Sequence, residues 1–122
     1  MNDSTTTVQQ LRQMMQEFVD ERDWQQFHSP KNLTMALAIE AAELMEHFQW
    51  LSVEQSRAVK GREEQLSAVG EEMADVLCYL LAAANALDID LSATMKKKMI
   101  KNRQKYPADE YRGRFGPSDP QQ

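Results

Sequence analysis

The sequence predicts an all-α fold, and three observations carry that prediction. Apolar residues recur at helical spacing along most of the chain, while no strand-type alternation stands out. Only four Gly and four Pro occur in 122 residues, with long stretches free of both. Two short acidic patterns, Glu40-Ala-Ala-Glu43 and Glu72-Met-Ala-Asp75, have i, i+3 spacing, which on a helix points both carboxylates the same way from adjacent turns. A chain of this length makes one domain, expected over residues 1–107 as a four-helix-type bundle, with 108–122 as an extended or mobile tail.

The first helix is expected after the Ser4–Thr7 cluster and up to about Trp24, with Val8, Leu11, Met14 or Met15, Phe18 and Val19 as its apolar stripe. Gln25 to Pro30 reads as a loop in which Pro30 and Asn32 set up the next start. The second helix is expected from about Leu33 to Trp50. Ser52-Val-Glu-Gln55 has the form of a capping box and opens a short helical turn, after which Gly61 permits a bend. The third helix is long, about Arg62 to Leu87, and Asp88-Ile-Asp90 supplies a connection and a cap. The fourth runs from Leu91 to about Tyr106, where Pro107 stops it. Between Val76 and Leu87 the third helix is apolar almost all the way round (VLCYLLAAANAL), and such a helix must be surrounded by others. A chain this small cannot cover every side of it, so a homo-oligomer is expected, with Ala82, Ala83, Ala84 and Ala86 allowing close approach.

Charge excludes some function classes. A net charge of −5 argues against a general nucleic-acid binder, which needs a broad basic surface. The charge is uneven, because residues 96–105 carry six basic groups and no acid. The longest apolar run, Val76 to Ala84, is too short to span a bilayer, so no membrane partner is expected. The N-terminal MNDSTTTVQQ lacks the charged-then-apolar order of a signal peptide. Cys78 is the only cysteine and reads as a small core hydrophobe, which fits a reducing, cytoplasmic location.

The acidic pairs carry the chemistry. No Lys or Arg occurs between Lys31 and Arg57, or between Arg62 and Lys96. Carboxylates held in an apolar setting cost several kcal/mol apiece unless a positive group is supplied. Either pattern alone is what a solvated helix face presents. Two of them in apolar helices without basic neighbours point instead to a divalent cation, held by Glu40, Glu43, Glu72 and Asp75. Oxygen donors favour Mg²⁺, with Mn²⁺ as the alternative. On the third helix Glu72, Asp75 and Tyr79 share one stripe. A di-iron site is disfavoured, because His47 is not three residues beyond either Glu43 or Glu46 and the third helix has no His.

On the fourth helix Lys98 and Asn102 lie one turn apart and suit phosphate oxygens, whereas Lys96, Lys97 and Lys105 read as soluble residues compatible with the helix dipole. Aromatic residues make up only 7% of the chain, yet Trp24 and Phe27 crowd the loop before the second helix with His28, and Trp50 lies at its far end. Flat rings sandwich a nucleobase and a His bonds its edge, although composition alone favours helix packing for these residues.

These residues together resemble a family. The chain is similar to the MazG-like nucleoside triphosphate pyrophosphohydrolases, and within them to the dCTP pyrophosphatase branch. The likeness is carried by ERDWQQFHSPKNL, ALAIEAAELMEHFQW, EEMADVLCYLL and KMIKNRQKYP, and covers about Leu11 to Pro107. It implies that Glu40, Glu43, Glu72 and Asp75 hold Mg²⁺, that Trp24, His28 and Trp50 form the base pocket, and that Tyr79 contacts the nucleotide. Lys98, Asn102 and Arg103 match a phosphate-side motif. In the animal dCTP pyrophosphatases a His on the first helix contacts the nucleotide; the matching position here is Met15, which puts strict dCTP selectivity in question. The family assembles as dimers or as tetramers built from dimers. The expected activity is hydrolysis of dCTP or a related or modified dNTP to the monophosphate and pyrophosphate, with Glu43 orienting the attacking water. The alternatives are broad dNTP hydrolysis and, in another class, a non-enzymatic helical scaffold or regulator.

Overall fold

A computed structural model describes residues 1–115, and every regular element among them is helical. The chain separates into two compact units, Met1–Asp88 and the segment from Ile89 onward. The first unit holds α1 (Val8–Glu21), α2 (Pro30–Glu46), α3 (Val53–Ala58) and α4 (Glu63–Leu87), with single 3₁₀ turns at Gln25–Phe27 and Val59–Gly61. The second holds α5 (Leu91–Lys105) and α6 (Ala108–Tyr111). No single helix is long and apolar enough to cross a membrane among the described residues.

Capping fixes α1 at its start. The Gln10 amide donates to Thr7 Oγ1 (3.1 Å) and the Thr7 amide to Gln10 Oε1 (2.7 Å), a reciprocal box that satisfies two orphan donors. Its end falls at Glu21 rather than at the expected Trp24. Asp23 takes a left-handed φ of 51°, which Asp tolerates through its short polar side chain. The Trp24 amide then donates back to Val19 O (3.1 Å) and the Asp23 amide to Asp20 O (3.1 Å), the bond pair of a Schellman cap. The Trp24 ring meets Phe18 edge-on at 5.7 Å, so this turn carries Trp24 off the helix axis.

Helix α2 starts earlier than expected. Ser29 is its N-cap, accepting from the Asn32 amide (3.1 Å), and Pro30 sits inside the first turn, where its missing N–H is of no consequence. The regular helix stops at Glu46, and residues 47–50 continue as hydrogen-bonded turns. Ser52 and Gln55 form the expected capping box and open α3. Both α1 and α2 pack on α4. The core between them is Leu33 from α2 with Ala82 and Ala83 from α4, and Met15 of α1 and Tyr79 of α4 lie against it. Across the same unit Arg12 Nε donates to Asn85 Oδ1 (3.0 Å) and Asn85 Nδ2 returns a bond to Arg12 O (3.0 Å), which fixes the register of α1 on α4.

Leu81 to Ala84 of α4 are buried, but Leu66, Met73, Leu77, Leu80 and Leu87 form a stripe on the same helix that is 41–56% exposed. The all-round apolar character of α4 is therefore covered on one side only within a single chain.

In the second unit Asp90 caps α5 by accepting from the Ala93 amide (2.9 Å). Beyond Pro107, in the stretch expected to be extended or mobile, residues 108–111 form α6: Pro107 O accepts from the Glu110 and Tyr111 amides (3.0 and 3.1 Å), and Tyr111 packs edge-on against Tyr106 at 5.2 Å. The remainder of the expected tail, from residue 116, lies outside the described residues.

Candidate active site and metal centre

Helices α2 and α4 bring Glu40, Glu43 and Glu72 together. Each offers one carboxylate oxygen, and these oxygens all lie within 4.8 Å of one another. All three side chains are half-buried. Glu40 Oε2 and Glu72 Oε2 are out of contact with solvent and have no hydrogen-bond partner. A buried polar atom without a partner is rare in a native protein and indicates a group that completes it. The electrostatics agree. The Glu40 carboxyl is pushed up to about 7, first by its hydrogen bond with Glu43, then by burial, then by the charges of Glu43, Asp75 and Glu72. Glu72 is raised by burial first and by the charges of Glu43 and Asp75 next, with His47 pulling the other way. Three clustered oxygen donors with two unsatisfied atoms fit a hard divalent cation, Mg²⁺ or Mn²⁺.

Asp75 is not in the tight trio. It lies one turn beyond Glu72, is exposed, and acts on both Glu40 and Glu72 through its charge. It also lines a neighbouring cavity of about 330 Å³ in the same unit. Phe18, Trp24 and His28 form one wall of that cavity, and Tyr79 and Cys78 of α4 line it too. Arg22 stacks on the Phe18 ring at 3.8 Å, Phe18 meets Trp24 at 5.7 Å, and Trp24 tilts toward His28 at 6.3 Å. The result is a row of rings on the wall of the cavity that Asp75 also lines. Burial raises the Cys78 thiol, and the charge of Asp75 adds to the effect.

Of the sequence-predicted base-site residues, the structure collects Trp24, His28 and Tyr79 in this cavity. Phe27 does not join them. It is 60% exposed on the 3₁₀ turn, and its carbonyl accepts from Asn32 Nδ2 (3.2 Å). Trp50 is 87% exposed just past the far end of α2. The 17 residues of α2 span about 25 Å, so a single chain keeps the two tryptophans apart. Lys98, Asn102 and Arg103 belong to the second unit. Lys98 and Asn102 share one strip of α5, where Asn102 Nδ2 contacts Met99 Sδ (3.9 Å). Arg103 is about 100° further round and lines a groove with Met95 and Met99.

Sequence reasoning missed Phe18 and Cys78 as cavity residues and the stacking of Arg22 on Phe18. Phe18 has the spacing of a core residue. Only the Asp-based cap at Asp23, which carries no Gly signal, turns Trp24 back against it.

The model of the MazG-like family matches residues 35–114 of the chain. Curated relatives include dCTP pyrophosphatase 1 of Rattus norvegicus, 42% identical over 107 residues, and dCTP pyrophosphatase 1 of Homo sapiens, 41% identical over 102 residues. The matched stretches cover 88% and 84% of this chain but 63% and 60% of those proteins, so the chain spans less than two thirds of their length. Among solved structures, a pyrophosphatase from Archaeoglobus fulgidus is 38% identical, with a TM-score of 0.74, and the match covers 88% of this chain and 98% of that one. With the family model matching about two thirds of the chain, the chain belongs to the MazG-like family.

Proposed function

We propose that this chain is a Mg²⁺-dependent nucleoside triphosphate pyrophosphohydrolase acting on dCTP or a related pyrimidine deoxynucleotide. The observation that carries the reading is the pair of orphaned oxygens, Glu40 Oε2 and Glu72 Oε2, in a carboxylate trio beside a ring-lined cavity. The likeness to proteins named dCTP pyrophosphatase supports the substrate class.

Glu40, Glu43 and Glu72 would hold the cation, with Asp75 at the edge. The cation, when bound, neutralises the phosphate charge that grows on the leaving group. The chain's own groups do the rest. Trp24 and Tyr79 take the two faces of the base, and His28 meets its edge. Asp75 stands where the cavity meets the carboxylates. Glu43 takes the proton of the attacking water at a carboxylate oxygen as the new phosphorus–oxygen bond forms and the bond to pyrophosphate breaks. Lys98 and Asn102 are the proposed phosphate-side groups, and Arg103 is a weaker candidate because it lies on another strip of α5.

The exposed stripe on α4 favours a homo-oligomer, since contiguous apolar surface of this kind marks an interaction site. Pyrophosphate release measured over the four dNTPs with and without Mg²⁺ tests the activity. Glu40→Gln is expected to remove turnover while the helical signal is kept. Full activity in that variant would overturn the metal role of Glu40, and no pyrophosphate from any dNTP would leave the scaffold reading standing.

A further inference from the structure

The cavity beside the carboxylates has a neighbour. A second cavity of about 270 Å³ lies between α1 and α4 in the same unit, and Met15 and His28 line both. Separately, each sits at or below the low end of the roughly 300–1,000 Å³ range of small-molecule sites. Residues common to two cavities stand between them, and these two differ in freedom. His28 is held by its amide bond to Gln25 O (3.1 Å) and by its ring contact with Trp24. Met15 is unbranched, with three rotatable bonds and a polarizable sulfur that tolerates several packings. It is half-buried against the Leu33–Ala82–Ala83 core and sits one turn from Arg12, whose bonds to Asn85 fix the backbone there. The backbone is therefore set, while the unbranched Met15 side chain has more rotamers open to it than a branched residue would have.

The second cavity is lined differently from the first. Gln16 and Gln25 line it, and both donate their side-chain amide N–H to Asp20 Oδ1, so their carbonyl oxygens are left to offer a ligand as acceptors. Such acceptors suit an exocyclic amino group on a base edge.

We propose that Met15 is a movable partition that sets the size of base the site accepts. With its side chain in place the ring-lined cavity takes a pyrimidine. With the side chain shortened or swung aside, the two cavities join, and a purine reaches the Gln16 and Gln25 oxygens. This inference rests on the nucleotide-hydrolase reading above and names the specificity determinant within it.

The test is calorimetric binding of nonhydrolysable dCTP and dGTP analogues to the full chain in Mg²⁺, for wild type, Met15→Ala and Met15→Phe, with kcat/KM for dCTP and dGTP alongside. Met15→Ala is expected to raise the dGTP-to-dCTP affinity ratio about tenfold, the scale on which a methylene or two in an apolar pocket discriminates ligands. Met15→Phe is expected to lower that ratio, and it keeps the proposal testable if the alanine variant fails to fold. Equal weakening of both analogues in both variants would overturn the partition while leaving the nucleotide reading intact. Absence of binding of either analogue to wild type would overturn the nucleotide reading and the partition with it.

Discussion

The sharpest consequence of the carboxylate trio is a proton released when the cation binds. In the cation-free protein the Glu40 carboxyl is pushed up to about 7, against an ordinary value of 4.5. A cation needs the charged form, so binding must expel whatever proton is present. A group titrating near 7 is about nine-tenths protonated at pH 6 and about one-tenth protonated at pH 8. Mg²⁺ binding should therefore release close to one proton at pH 6 and little at pH 8, and its apparent affinity should rise about tenfold from pH 6 to pH 8. The stability of the cation-free protein runs the other way. A raised carboxyl pKa makes the contribution of Glu40 fully present below about 4.5 and lost as pH rises through about 7. The cation-free protein should thus melt lower at pH 8 than at pH 5, and added Mg²⁺ should recover more of the loss at pH 8. Calorimetry in buffers of differing ionisation enthalpy counts the protons directly. An affinity that is flat from pH 6 to 8 with no proton released at pH 6 would refute the argument. Glu40→Gln should lower the number of protons released at pH 6.

Three further outcomes follow from the geometry. Asp23 sits at φ 51°, so Asp23→Gly should leave stability equal or slightly higher, while Asp23→Val should cost about 1–2 kcal/mol in thermal or urea unfolding. Trp24→Ala should raise KM for a dNTP much more than kcat falls, since stacking on a base is worth about 1–3 kcal/mol; a variant with unchanged KM would remove Trp24 from the base site. Leu77→Lys with Leu80→Lys places charge on the exposed α4 stripe and should shift the protein to a smaller species in light scattering, with the helical signal retained.

How far the sequence led can be judged element by element. The Glu40–Glu43 pair was legible because i, i+3 spacing on a helix fixes direction, and the packing of α2 on α4 brings Glu72 to it. Capping boxes at Ser52 and the Asp90 cap were legible because they are local. The end of α1 was not, because a Schellman cap is usually announced by Gly and here Asp23 takes the left-handed position. The start of α2 was placed late because Pro30 was read as preparing the helix from outside, when it occupies the first turn. Trp50 joins Trp24 in the base pocket only through the family resemblance, and neither resemblance nor composition carries a distance: within one chain Trp50 is separated from Trp24 by the length of α2, and Phe27 by the direction of a 3₁₀ turn. The pattern pairs Asp75 with Glu72, and the structure places it exposed beside the trio on the wall of the cavity, a position that depends on the packing of α2 against α4.

Helix α4 joins the two halves of the site. Glu72, Asp75 and Tyr79 follow one another on successive turns, so about 10 Å of helix axis separates the carboxylate end from the ring end. That distance is set by backbone geometry and does not depend on loop conformation. Helix α1 supplies the opposite wall, and its position is fixed at both ends by means the sequence hides: the Arg12–Asn85 bonds near its start and the Asp23 cap at its finish. Between those two fixed points lie Met15 and Phe18, the α1 residues that line the ring cavity. The charged end of the site is thus written in short-range spacing, where sequence reading is strong. The end that chooses the base is written in how α1 is clamped and terminated. Substitutions along α1 at Arg12, Met15 and Asp23 are therefore where selectivity should change while the carboxylates, and the proton they release, stay as they are.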